Sequence, residues 1–141
     1  MGYSIGFTGT QNGMTQSQKD KVTYFLGFFA ISEVHHGDCI GADEEFHKLA
    51  RAQKLKVALH PPTNPAKRAF CEADEEFPKK DYLVRNKEIV DNSDILIATP
   101  KSKKEEVRSG TWSTIRYAQK PYVKKDKRLI IIYPDGEVKS Q

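Results

Sequence analysis

The chain has 141 residues and a mass of 16.0 kDa, a length that fits one compact domain and excludes two full ones. Apolar residues make up 38% and aromatic residues 10%, which excludes a disordered chain. The formal charge is +4, and the excess of basic over acidic residues lies from Ile115 onward, where there are seven basic and three acidic residues. This distribution favours a solvated basic surface over a nucleic-acid binding surface.

Two further features bear on metal binding and location. Cys39 and Cys71 lie far apart and form no spacing typical of a zinc site, so no metal and no cofactor is predicted. The N-terminal sequence MGYSIGFTGT lacks the regions of a signal peptide, and no stretch reaches the ~18 apolar residues of a membrane span. We therefore expect a cytoplasmic protein with no membrane partner.

The first half of the chain alternates short apolar runs with helical patterns, which is typical of βα units. Strands are predicted at residues 4–8, 33–36 and 56–59. Thr15 is suited to cap a helix whose apolar residues repeat over 22–29, and a second helix is predicted over 42–50. Phe7 and Phe28 are assigned to the core.

The second half continues the same alternation. Residues 63–80 are polar and contain prolines, so we expect an irregular or partly helical segment. A helix is predicted at 82–90, a strand at 95–98, a helix from Ser109, and a strand at 129–133. A turn at 134–137 then allows a short antiparallel edge strand. The whole predicts an α/β fold: a single domain over 1–141, in three layers, with a mostly parallel Rossmann-like sheet.

In such sheets ligands bind beyond the carboxyl ends of the strands, where the strand order reverses. The loops 9–13, 37–41 and 99–110 are predicted to open on that edge. Glycines in the second loop and the segment Arg108-Ser109-Gly110-Thr111 each precede a helix, whose N-terminal N–H groups favour an anion. Two helix N-termini directed at one crevice would suit a nucleotide phosphate.

Several single residues leave alternatives open. Arg85 and Asn86 fall on a helix, where a solvated face is the default expectation. His60 is equally suited to cap backbone groups and to contact a ligand. Asp43 lies in the first turn of a helix, which favours a structural role. Trp112 is suited to stack on a base or to anchor its helix in the core.

Four segments together resemble the SLOG superfamily, which includes the DprA/Smf proteins, the LOG phosphoribohydrolases and small YspA-like proteins. They are GFTGT at 6–10, HGDCIGAD at 36–43, the stretch from Arg85-Asn86 to Ser93-Asp94, and RSGT at 108–111. The resemblance covers nearly the whole chain and implies a nucleotide or nucleotide-derived ligand at the sheet edge. The ligand-binding candidates are Gly9, Thr10, Gln11, Asn12, Gly37, Asp38, Cys39, Gly41, Ala42, His60, Arg85, Asn86, Arg108, Ser109, Gly110 and Thr111.

Three functions follow from these candidates. In the first, the chain is a sensor or sequestering protein that binds a signalling nucleotide, which includes cyclic and ADP-ribose-like forms. The resemblance also implies that the protein is a homo-oligomer. The second is a nucleotide N-glycosidase or phosphoribohydrolase. Enzymes of the LOG type carry PGGxGTxxE, and Thr114 stands at the glutamate position, so a carboxylate would have to come from elsewhere, such as Asp38. The third is DprA-like binding of single-stranded DNA.

Overall fold

One twisted sheet of seven strands organises the chain, seen here in a computed structural model that describes residues 2–141. The strands are β1 (Tyr3–Gly9), β2 (Ile31–His36), β3 (Val57–Leu59), β4 (Glu75–Glu76), β5 (Ile95–Thr99), β6 (Arg128–Ile132) and β7 (Val138–Ser140). The helices are α1 (Gln16–Phe28), α2 (Ala42–Ala52), α3 (Tyr82–Asp91), α4 (Gly110–Gln119) and α5 (Pro121–Lys124). The strand order is β4-β3-β2-β1-β5-β6-β7, and only β7 runs antiparallel to its neighbour.

Side-chain alternation along the central strands divides the core into two layers. Ile5 and Phe7 of β1 point to the face covered by α1 and α2, where the Phe7 ring stacks on Phe46 at a centroid distance of 4.2 Å. Leu96 and Ala98 of β5 point to the opposite face, which α3, α4 and α5 cover. The three-layer, mostly parallel α/β fold predicted from the sequence is therefore confirmed.

The start of α1 shows how local sequence fixes these elements. The Thr15 hydroxyl accepts a hydrogen bond from the Gln18 N–H, and the Gln18 side chain accepts one from the Thr15 N–H, which forms the capping box. The buried Gln18 amide also donates to the carbonyls of Pro100 and Ile132. Gln18 thus joins the start of α1 to the carboxyl ends of β5 and β6.

The structure corrects some expectations. Phe28 is 63% exposed and lies outside the core, because it falls on the outer side of α1. Residues 63–80 contain a 3₁₀ turn at Pro65–Lys67 and the two-residue strand β4. This strand is too short to show the side-chain alternation from which a strand is predicted. The antiparallel edge strand β7 is present as predicted. Among residues 2–141 no helix has the length and apolar character required to cross a bilayer.

Candidate functional site

A cavity of about 600 Å³ lies at the carboxyl ends of β1 and β5, where the strand order reverses. The loops after β1, β2 and β5 all contribute to its wall. Eleven sequence candidates line it: Gly9, Thr10, Gln11, Asn12, Cys39, Arg85, Asn86, Arg108, Ser109, Gly110 and Thr111. Its size falls within the roughly 300–1,000 Å³ typical of small-molecule sites.

The other wall residues were not among the candidates. They are Phe7, Thr8, Ile40, Asp43, Pro62, Thr63, Asn64, Lys67, Tyr82, Ile89, Lys101 and Glu106. Pro62 to Lys67 belong to the segment after β3, whose polar and proline-rich sequence signalled function without specifying which side chains face the cavity.

Five candidates do not line the cavity, for identifiable reasons. A Cβ on Gly41 would lie 2.3 Å from the Gln11 carbonyl oxygen, so this glycine packs behind the first loop. The Ala42 N–H donates to the Thr10 carbonyl. Asp38 is fully buried and forms an ion pair with Arg68 at 2.6 Å. The remaining two are Gly37 and His60.

Arg85 is the most distinctive cavity residue, because it is a guanidinium with only 3% of its surface exposed. Its Nη1 donates to the Gly37 carbonyl at 2.7 Å and to the Cys39 thiol at 3.2 Å. Its buried Nε has no hydrogen-bond partner among the described residues. A Cβ on Gly37 would lie 1.9 Å from Nη1, so Gly37 makes room for Arg85 and not directly for a ligand. The expected solvated helix face is therefore wrong for this residue.

Asp43 brings a carboxyl group to the same wall. It accepts a hydrogen bond from the Cys39 N–H at 3.3 Å. Burial raises the pKa of Asp43 from 3.8 to about 6, although the neighbouring Arg85 opposes the shift. Burial likewise raises the pKa of the Cys39 thiol. Asp43 can therefore exchange a proton near neutral pH, which makes it the cavity's candidate acid or base.

The two helix N-termini at the cavity differ in their electrostatics. The first turn of α2 contains three carboxylates, Asp43, Glu44 and Glu45, which already interact favourably with the helix dipole and would repel an anion. The first turn of α4 has no acidic residue, and Arg108 precedes its cap residue Ser109. Of the two helix N-termini expected to favour an anion, that of α4 therefore has the more suitable charge.

Tyr82 packs against the N-terminus of α4 from the neighbouring helix α3. A Cβ on Gly110 would lie 1.2 Å from the Tyr82 hydroxyl oxygen, so the glycine allows the Tyr82 ring to approach the N-terminus of α4. The Arg85 guanidinium lies 5.2 Å from the centroid of the same ring. Burial raises the pKa of Tyr82, which keeps its hydroxyl protonated and able to donate to an acceptor.

Two other sequence alternatives are settled by placement. Trp112 is 5% exposed and packs in the core with Ile115, so it does not stack on a ligand in the cavity. Thr114 is 2% exposed and donates its hydroxyl proton to the Gly110 carbonyl at 3.0 Å. Thr114, which the sequence resemblance aligns with the LOG-type glutamate, does not line the cavity.

A group of possible metal ligands lies outside the cavity. His36, His47 and Cys71 each offer one ligand atom, and these atoms lie within 4.8 Å of one another. However, His36 Nδ1 accepts a hydrogen bond from the Asp38 N–H at 2.9 Å, so the His36 proton lies on Nε2 and points at His47 Nδ1, 3.0 Å away. A neutral His36 in this arrangement cannot offer Nε2 to a metal. Burial, with Asp38 nearby, also raises the pKa of Cys71 to about 12.

Comparison with known proteins concerns the fold. No family model matches the chain. No curated protein matches it either. The solved structure of TM1055, a structural-genomics target, is similar with a TM-score of 0.58 at 15% identity, covering 82% of this chain and 67% of its own.

DNA processing protein A from Helicobacter pylori, described for its single-stranded DNA binding mode, is similar with a TM-score of 0.59 at 20% identity. The match covers 91% of this chain and 64% of that protein, so the chain spans about two thirds of each neighbour. Both neighbours share no more than 20% of their residues with this chain, so the similarity is one of fold. The chain thus has the Rossmann-like α/β fold that its sequence predicted.

Proposed function

We propose that the chain binds a phosphorylated nucleotide-type small molecule in the cavity beyond β1 and β5. The observation that carries this proposal is Arg85, a residue 3% exposed at the cavity wall whose guanidinium, among the described residues, forms hydrogen bonds through Nη1 only. Burying an incompletely paired cation is costly unless a ligand supplies the missing acceptor. A phosphate oxygen does so with charge-assisted hydrogen bonds.

The phosphate belongs at the N-terminus of α4 in this proposal. The first-turn N–H groups of a helix have no partners within the helix, and among the described residues only that of Trp112 has a side-chain acceptor here, the Ser109 hydroxyl at 3.2 Å. Arg108, Lys67 and Lys101 add positive charge around the cavity. The sugar and base would then extend past the apolar wall formed by Ile40 and Pro62.

Sensing or sequestering a signalling nucleotide is the role we favour over its cleavage. Cleavage of an N-glycosidic bond requires a carboxylate at the reacting carbon. Thr114 supplies none, and Asp38 is engaged by Arg68 outside the cavity. Asp43 keeps hydrolysis as the second candidate function, because its carboxyl lines the cavity and has a pKa near 6.

The decisive first experiment is mass spectrometry of the small molecules that co-purify with the chain, followed by calorimetric titration with AMP, ADP-ribose and a cyclic dinucleotide. Adenosine, which lacks the phosphate, is the matched ligand. We expect binding of at least one phosphorylated compound and none of adenosine. An intact ligand supports binding, and a cleaved one supports hydrolysis.

Charge variants and an oligonucleotide complete the test. Arg108→Ala should weaken binding by about tenfold or more, whereas Arg128→Ala, an equal charge change at the amino end of β6, should not. Tight binding of a single-stranded oligonucleotide that falls steeply with salt, without binding of any mononucleotide or dinucleotide, would favour the DNA-binding function instead.

A further inference from the structure

A continuous chain of polar side chains lies beside the cavity and takes no part in its wall. Glu33 Oε2 lies 2.6 Å from His35 Nε2, His35 Nδ1 lies 2.8 Å from His60 Nε2, and His60 Nδ1 lies 2.7 Å from Glu88 Oε1. Lys80 Nζ donates to the other oxygen of Glu88. We call these five residues the histidine network.

The network is buried between the sheet and α3. His35 is 2% exposed and His60 is fully buried, and the Phe77 ring stacks on His60 at a centroid distance of 4.1 Å. Arg85 on α3 also acts on the His60 ring, and His36 on β2 interacts with both rings. The network is therefore shielded from water except at its ends.

Counting protons shows that the network has two states. Three hydrogen bonds in series need three protons, and two neutral imidazoles supply only two. With all three protons present, the two histidines carry one positive charge between them. The histidine network is then neutral overall, because Lys80 adds one positive charge and Glu33 and Glu88 add two negative charges. Burial lowers the pKa of His60 to about 4 while Glu88 opposes the shift, so the third proton leaves as the pH rises.

The contact that opens on deprotonation is the one to Glu33. Glu33 is 30% exposed and can turn into water, whereas Glu88 is 14% exposed and is also held by Lys80. His35 can then donate from Nδ1 to His60, and His60 keeps its Nδ1 proton toward Glu88. The link between β3 and α3 therefore persists in both states.

The His60–Glu88 contact lies close to cavity residues on both of its sides. Glu88 follows Arg85 by three positions on α3, so the two side chains lie on neighbouring positions of one helix face. His60 directly precedes Pro61 and Pro62, and the Pro61 carbonyl accepts a hydrogen bond from the Lys80 N–H. The start of α3 has no side-chain cap from Asp81, so the packing of Tyr82 and the contacts farther along the helix contribute to its position.

We propose that His60 and Glu88 are positioning residues, which hold α3 in the orientation that places the Arg85 guanidinium at the cavity wall. This inference rests on the proposed anion-binding function for its consequence, since Arg85 is the buried charge of that site. His35 supplies the donor that fixes the tautomer of His60, and the contact to the more exposed Glu33 can open without moving α3.

The test compares variants that keep or remove the link. His60→Gln retains a donor toward Glu88 and an acceptor toward His35, whereas His60→Phe retains the stacking on Phe77 but neither polar contact. Glu33→Gln is the matched control at the other end of the network. In the free protein, the Arg85 Nε–Hε signal in ¹H–¹⁵N spectra should shift in His60→Phe and stay unchanged in His60→Gln and Glu33→Gln.

Binding of AMP provides the second measurement. We expect His60→Phe to weaken it by roughly tenfold and His60→Gln by less than about threefold. Should His60→Phe fail to fold, Glu88→Ala replaces it, with Glu88→Gln as the conservative variant. A folded His60→Phe or Glu88→Ala protein with the wild-type Arg85 signal and affinity would overturn the positioning role. If the signal shifts but the wild-type protein binds no AMP, pyrophosphate or ADP-ribose, the proposed function fails while the positioning role stands.

Histidine ¹⁵N spectra test the proton count separately. As the pH rises from 4 to 8, one ring proton should be lost from the histidine pair while His60 Nδ1 stays protonated. Loss of the His60 Nδ1 proton first would show that Glu88, and not Glu33, is released, which contradicts the persistent link.

Discussion

Replacing Arg85 with alanine should lower both ligand affinity and folding stability. The variant loses the 2.7 Å charge-assisted bond to the Gly37 carbonyl, and it leaves that acceptor and the Asp43 carboxyl without their cationic neighbour. A buried bond of this kind contributes about 1.5–3 kcal/mol, so we expect the free energy of unfolding to fall by about 2 kcal/mol. For a chain of this length that lowers the melting temperature by about 6 °C. Loss of the phosphate contacts should weaken AMP binding by roughly tenfold to a hundredfold.

The assay combines thermal unfolding with calorimetric titration, and two variants serve as comparisons. Arg108→Ala removes an exposed guanidinium from the same cavity, so it should weaken binding without changing the melting temperature. Arg85→Lys keeps the charge but loses the planar group that reaches several acceptors, so its affinity should be intermediate. A folded Arg85→Ala protein with unchanged melting temperature and unchanged affinity would refute the assignment of Arg85 as a buried ligand-binding group.

Three further outcomes are expected. Gly41→Ala should destabilise the fold by at least about 2 kcal/mol in urea unfolding, because Gly41 has φ +95° and an added Cβ would clash with the Gln11 backbone. Gly27→Ala is the control: a Cβ added there has no neighbour within 3.5 Å, so this variant should stabilise α1 by roughly 0.5–1 kcal/mol. The pKa of Asp43 is about 6 in the folded protein and 3.8 ordinarily, so the stability that its protonated form contributes is present in acid and is lost as the pH rises from about 4 to 6. Asp43→Asn should remove that part of the pH dependence of the unfolding free energy, measured with urea. An unchanged pH profile would contradict the raised pKa. Chromatography of nucleoside monophosphates incubated with the protein should show no base release near 1 per second, and release at that rate would favour hydrolysis.

The fold was predictable because its strands carry a local signal. The run Ile95-Leu96-Ile97-Ala98 is apolar on both faces, as a central parallel strand requires, and Thr15 with Gln18 specifies the start of α1 within four residues. The loops that open on the cavity also follow from the order of strands and helices. Two-residue β4 carries no such signal, since its pairing depends on β3 and not on its own sequence.

The site was less predictable because burial of polar groups depends on which elements meet. Arg85 lies on a helix with a polar sequence, and only the packing of α3 beside β1 and the Gly37 loop buries it. Gly37 was interpreted as a place where a ligand approaches the backbone, but Arg85 occupies that space, and Gly110, which does line the cavity, also makes room for Tyr82. His60 was interpreted as a backbone cap or a ligand contact, but it bonds two side chains that are distant in sequence.

The two ends of the sheet limit how copies of this chain can associate. At one end β4 consists of two exposed glutamates, and at the other β7 is three residues long with Lys139 and Ser140 exposed. Short, charged edge strands resist the addition of a strand from another molecule, because the incoming backbone would meet few free partners and unfavourable charge. A homo-oligomer of the kind the sequence resemblance implies would therefore have to form through helices, where the exposed rings of Tyr24 and Phe28 on α1 offer apolar surface.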